Sequence, residues 1–135
     1  MIKLRARHLF VVLLALVSFY PCQASELGEN YLSRLARIHR IPGNGDEKLL
    51  VLISDTSTEL ARDWSPQLAR ELARVFNELL NVNQNFFLVE LLGPVLEMRA
   101  EQFGPILDKA LSDTNKKLYR ELIEMDENEE KQGNG

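Results

Sequence analysis

Beyond residue 24, apolar positions recur at helical spacing. Leu27, Tyr31, Leu35 and Ile38 lie at i, i+4, i+8 and i+11, one face of a helix expected over 26–40 that stops at Ile41-Pro42-Gly43. The cluster PGNGD at 42–46 is a dense turn signal, and Asp46 can either end it or cap the next segment. The run EKLLVLIS, 47–54, suits a buried strand or a buried helix by periodicity alone. A lone strand would have no partner elsewhere in the chain, so a helix over 47–63 is expected. On that reading Thr56 and Glu59, spaced as a capping box, sit on the helix surface.

Ser65-Pro66 marks a restart, with serine able to cap and proline suited to the first helical position. From there Leu68, Leu72, Val75, Leu79, Val82, Phe86 and Val89 step alternately by four and three, the spacing of a coiled-coil seam. The polar run NVNQN, 81–85, weakens helix propensity without breaking that register, which predicts one bent helix over 66–92. A last helix after Ser112-Asp113 carries Leu118, Leu122 and Met125 on one side. The segment 126–135 is acidic and has no large apolar residue, the composition of a disordered tail.

Between these helices an eleven-residue unit is written twice. Glu90 aligns with Glu101, Gly93-Pro94 with Gly104-Pro105, and Glu97 with Asp108. Eleven residues make about three helical turns, so a continuous helix would place both Gly-Pro pairs on nearly one side. Proline cannot donate to the carbonyl four residues earlier, which predicts a break at Gly93-Pro94 and a break or sharp kink at Gly104-Pro105. The chain therefore reads as all-α: a single domain over 25–125, a small bundle or array of four to five helices. Its breaks fall at Pro42, Ser65-Pro66, Gly93-Pro94 and Gly104-Pro105. Its expected core is Leu35, Leu68, Leu72, Val75, Leu79, Phe86, Val89, Leu92, Leu96, Phe103, Leu107 and Leu118.

The first 24 residues change the compartment. Lys3, Arg5 and Arg7 precede a twelve-residue apolar run, 9–20, and Cys22 and Ala24 stand at the minus-three and minus-one positions of a signal-peptidase site. The run is shorter than the ~20 apolar residues of a membrane span, so a secretory signal cleaved after Ala24 is expected. Tyr20-Pro21 before Cys22 disfavours a lipid-anchored cysteine. Cleavage removes three of the 16 Lys and Arg and none of the 20 Asp and Glu, leaving a formal net charge of −7. It also removes the single cysteine, and no Asn-x-Ser/Thr acceptor remains, which favours a bacterial periplasm over a eukaryotic secretory route. An acidic balance disfavours nucleic acid and anionic membranes as partners and favours a basic one.

Candidate chemistry is sparse. His39, the only histidine after residue 24, sits between Arg37 and Arg40, where a cation favours the negative end of a helix. No phosphate-binding loop or nucleophile elbow is present. Two carboxylate rows stand at helical spacing: Asp55, Glu59 and Asp63, and Glu90, Glu97, Glu101 and Asp108. Calcium sites usually come from compact loops, so solvated faces are expected, and no catalytic, metal-binding or cofactor-binding residue is assigned. Arg74 and Glu78 form an expected surface pair. The run FFLVELL, 86–92, is apolar on nearly every side, which predicts a central buried element or an apolar stripe that receives a partner's helix. The expected partner surface joins Phe86, Phe87 and Leu91 to Glu90, Glu97, Glu101 and Asp108. The expected function is a non-enzymatic, exported protein-binding module. Its rivals are a small hydrolase using a carboxylate row with a metal, and a structural protein that self-associates along the 68–89 seam.

Overall fold

Each of the first three helices begins at a residue suited to ending a loop. Ser25 opens α1 (Glu26–Ala36), its Oγ accepting from the Gly28 N–H at 3.1 Å. Asp46 opens α2 (Glu47–Arg62), accepting from the Leu49 N–H at 2.8 Å. Ser65 opens α3 (Pro66–Val82), accepting from the Leu68 N–H, with Pro66 in the first turn where a missing donor costs nothing. A 3-10 helix, Phe86–Leu92, then runs directly into α4 (Gly93–Ala110), and α5 (Asp113–Gly133) completes the chain. The computed structural model describes residues 25–133, so the expected signal peptide lies outside the described residues.

The protein is an all-α array organised around α3, which packs against all four other α-helices. Its Leu68, Leu72, Val75 and Leu79 seam is wholly buried, and so is the adjoining row of Ala69, Ala73, Phe76 and Leu80. Two neighbouring stripes make an apolar arc wide enough to face several helices, with the alanines allowing close approach. Leu35 of α1, Ile53 and Leu60 of α2, Val95 and Phe103 of α4 and Leu122 of α5 complete the core. Each fully buried leucine contributes about 1.5–3 kcal/mol relative to exposure.

Residues 47–54 are helical, and α2 ends one residue short of its expected bound. Other boundaries move further. Helix α1 stops at Ala36, not 40; the Leu35 carbonyl is closed by the Ile38 N–H at 3.0 Å, and the Arg74 side chain donates to the carbonyls of Leu35 and Ile38 at the helix end. The expected single helix over 66–92 is two elements. Val82 is followed by the extended Asn83, whose N–H still bonds the Leu79 carbonyl and whose side chain donates to the Asn44 carbonyl at 3.0 Å. The coiled-coil register thus ends at Leu79: Val82 is 39% exposed and Phe86 only half-buried. Leu96 and Leu118 are likewise at the edge of the core rather than inside it.

The two Gly-Pro pairs have different outcomes. At the first, no left-handed glycine cap forms: Gly93 is helical, with φ −49° and ψ −55°, and the chain changes helix type there without stopping. Its N–H bonds the Glu90 carbonyl, Pro94 has none to satisfy, and the buried Val95 N–H donates to Ser57 Oγ on α2 at 3.1 Å. The orphan donors of a helix start are thereby accounted for by sequence-distant help. At the second, helix continues through Gly104-Pro105, and the irregularity falls six residues before the proline, at Arg99 with φ −135° and ψ 33°. There the Arg99 Nε donates to the Ala61 carbonyl at the end of α2, at 3.3 Å.

Residues 126–133, expected as part of a disordered tail, instead continue α5 as a largely exposed helix.

Candidate functional site

The expected partner-binding residues fall on the 3-10 helix and α4. Asn85 starts the 3-10 turn by accepting from the Phe87 N–H at 3.4 Å. Three residues per turn then divide FFLVELL unevenly. Leu88, Val89 and Leu92 are buried, Phe86 and Leu91 are half-buried, and Phe87 is 42% exposed, its ring edge-on to Phe86 with centroids 6.3 Å apart. The segment is therefore both of the things its composition allowed, a buried wedge packed against α2 and α5 and an exposed aromatic rim.

Glu90 is exposed, on the segment that packs against α5. Its carboxyl is held above the ordinary range by a hydrogen bond with Asp126, then by loss of solvent and by the charges of Asp126 and Glu130. No cation among the described residues is within ion-pairing distance of it. Three carboxylates from two elements thus gather beside an exposed phenylalanine's segment without an internal counter-ion.

The row expected through Glu90, Glu97, Glu101 and Asp108 does not form. Glu90 lies on the 3-10 helix, and the Arg99 irregularity separates Glu97 from Glu101, so the straight-helix spacing that aligned them is absent. Glu97 and Glu101 are exposed. Asp108 lies 3.9 Å from Lys116 of α5, on the rim of a cleft of about 300 Å³ whose walls include Leu96, Leu107, Leu111 and Tyr119. Burial pushes the Tyr119 phenol up, and its ring stands edge-on to Phe76 at 6.0 Å.

The other carboxylate row is divided by burial. Asp55 and Asp63 face solvent, whereas Glu59 is 4% exposed and fully engaged, accepting from Ser25 Oγ at 2.8 Å and from both Nε and Nη2 of Arg62. Glu59 and Thr56 are therefore interior, not surface, residues; the Thr56 hydroxyl donates to the Leu52 carbonyl at 2.7 Å. Among the described residues no group of three or more His, Cys, Asp or Glu side chains is arranged to hold a metal ion. His39 is exposed. Arg74 pairs with Glu71, not with the expected Glu78.

A buried asparagine latch between α3 and α5 left almost no pattern in the sequence. The Asn115 amide, 3% exposed at the start of α5, donates to the Asn77 carbonyl at 3.0 Å and to the side-chain oxygens of Asn77 and Asn81 at 2.8 Å each. The only available signal was the helical spacing of Asn77 and Asn81 at i and i+4.

The class defined by these features is an all-α domain with a central helix, a 3-10 wedge and an acidic, partly apolar edge. No family model, curated protein or solved structure matches the chain. Among the described residues, no helix is long and apolar enough to cross a membrane.

Proposed function

We propose that this is an exported, non-enzymatic protein-binding module, of the kind represented by adaptors, chaperone-like factors and immunity-type inhibitors, acting in the periplasm or outside the cell. The observation that carries this reading is the edge formed by the 3-10 helix and α5. Phe87 offers an aromatic anchor in the open, and exposed Glu90 stands on the segment that packs against the acidic helix α5, where Asp126 and Glu130 raise its proton affinity and no ion pair to any of the three forms among the described residues. A basic, amphipathic segment of another exported protein would cover the ring and neutralise the carboxylates. The net charge of the chain beyond residue 24 favours the same sign of partner.

The rival readings draw less support. The seam needed for self-association, Leu68 to Leu79, is spent inside the protein's own core. The carboxylate row needed for a metal-dependent hydrolase is split between a buried, engaged Glu59 and exposed neighbours.

Two measurements test the proposal. N-terminal sequencing of the protein recovered from exporting cells should begin at Ser25; an intact Met1 would remove the exported reading. Affinity capture from the envelope of those cells should retain a basic protein on the parent and lose it on Phe87→Asp and on Glu90→Lys. Equal retention by parent and variants would remove this edge as the binding surface.

A further inference from the structure

The corner between α1 and α2 has the opposite chemistry to the rest of the molecule. Residues 34–48 contain Arg34, Arg37, Arg40 and Lys48 against only Asp46 and Glu47, in a chain otherwise rich in carboxylates. Three of those cations line one cleft of about 250 Å³: Arg34 from α1, Arg40 from the connecting turn and Lys48 from α2. Its apolar lining comes from Ile38, Ile41, Leu49 and Leu52, of which Ile41 and Leu52 belong to the buried core.

Stability does not account for this arrangement. Arg34 lies in the last turn of α1, where a cation suits the helix dipole, but Lys48 lies in the first turn of α2, where it opposes one. None of the three cations has a carboxylate within ion-pairing distance among the described residues. The one acid on the cleft, Asp46, is committed through Oδ1 to the Leu49 N–H. Three cations against one carboxylate around an apolar floor leave the cleft with a net positive charge that an anion would relieve. Ligand sites combine these two features, a mainly apolar cavity and a few convergent polar groups, and guanidinium forks match carboxylate and phosphate oxygens.

We infer that the α1–α2 cleft binds a small amphiphilic anion, its carboxylate or phosphate head held by Arg34, Arg40 and Lys48 and its alkyl body laid against Ile38, Ile41, Leu49 and Leu52. The volume, about 250 Å³, lies just below the range usual for small-molecule sites, which restricts the body to a short chain. The cleft shares no residue with the Phe87–Glu90 edge, so the two assignments stand or fall separately.

The test is an NMR titration of the chain from Ser25 onward with sodium octanoate and, separately, octyl phosphate, with octanol and acetate as controls. Saturable amide shifts clustered between residues 34 and 52 are expected with at least one of the two amphiphiles, and the tighter of them identifies the head group. Octanol and acetate should each bind at least tenfold more weakly. Arg40 and Lys48 are exposed, so the double variant Arg40→Gln/Lys48→Gln should keep the parent's melting temperature and lose at least tenfold in affinity. Absence of saturable shifts with both amphiphiles, octanol binding as tight as octanoate, or unchanged affinity in the double variant would overturn the assignment.

Discussion

Arg74 Nη2 donates to the Leu35 carbonyl at 3.0 Å, and through that bond the central helix holds the end of α1. A second arm of the same guanidinium reaches the Ile38 carbonyl at 2.9 Å, while Nε holds Glu71. Arg99 treats α2 similarly through the Ala61 carbonyl. The last carbonyls of a helix lack the usual i+4 donor; here Leu35 accepts from the Ile38 N–H as well, and an arginine from another helix adds a charged donor to it and to Ile38. Arg74→Ala should destabilise the protein by about 1–3 kcal/mol, read from urea unfolding, because two half-buried carbonyls lose a charged donor. Arg74→Lys should recover less than half of that, since a point ammonium cannot serve three acceptors in a plane.

Ser57 does for the start of α4 what Arg74 does for the end of α1. Its buried hydroxyl is the acceptor for Val95, the first residue after Gly93-Pro94 with a donor to place. Ser57→Ala would leave that N–H buried and unpaired, at a cost of about 1–3 kcal/mol in thermal or urea unfolding. Ser57→Thr keeps the acceptor but adds a methyl to a fully buried site, so its cost measures packing alone.

What could be read in the chain divides along a physical line. Asp46 and Ser65-Pro66 act through neighbours three residues away, and they start α2 and α3 where local chemistry says they should. Leu68 to Leu79 keep their register because one helix buries them all. The failures are at places where a distant group intervenes. The end of α1 is met by Arg74, one of the three bonds to Glu59 comes from Ser25, and the start of α4 is met by Ser57. In the candidate site the apolar character of 86–92 was legible, but the meeting of Glu90 with α5 was not, since it joins residues with no periodic relation.

Asn115 tests a network of that long-range kind. Asn115→Ala should cost about 0.5–1.5 kcal/mol per hydrogen bond lost, since Asn77 Oδ1 keeps the Ser112 N–H and the exposed Asn81 can turn to water. Asn115→Asp is the sharper probe. A carboxylate sets its oxygens against the three that now accept from Asn115, so the variant should be less stable than the alanine one at neutral pH. It should regain stability on acidification, as the protonated acid recovers one O–H donor. Melting temperatures of both variants at pH 7 and pH 4 decide the order.

Pro105 offers a test in the opposite direction. It lies within α4 with no N–H for the Glu101 carbonyl, and its side chain is exposed. An interior proline costs a helix about 3 kcal/mol, of which the stiffer unfolded chain returns up to about 1 kcal/mol. Pro105→Ala should therefore raise stability by about 2 kcal/mol if the Arg99 kink is imposed by its contact with Ala61. If the proline itself sets the kink, the alanine variant should straighten α4 and weaken the Arg99–Ala61 bond. A lost or shifted Ala61 carbonyl signal by NMR would report that outcome.

The Glu90 cluster makes stability depend on pH with a definite sign. The folded protein holds the Glu90 carboxyl above the range it has in an unfolded chain, chiefly through the hydrogen bond with Asp126. In the interval between those two values the folded state binds the proton more often than the unfolded state does. Stability contributed by this group is then present below the unfolded value and is lost as pH rises through the folded one. Glu90→Gln retains a side chain able to donate to Asp126 and removes one of the crowded charges. Relative to the parent it should be more stable at pH 7, with the difference shrinking to nothing as pH falls below the ordinary carboxylate range. Added salt at pH 7 should narrow the gap too, because the charges are near the surface. Melting curves of parent and variant from pH 3.5 to 7.5, at low and high salt, give the comparison. A difference that does not change with pH would mean that Glu90 acts through packing, and the acidic edge would then have no stored repulsion for a basic partner to relieve.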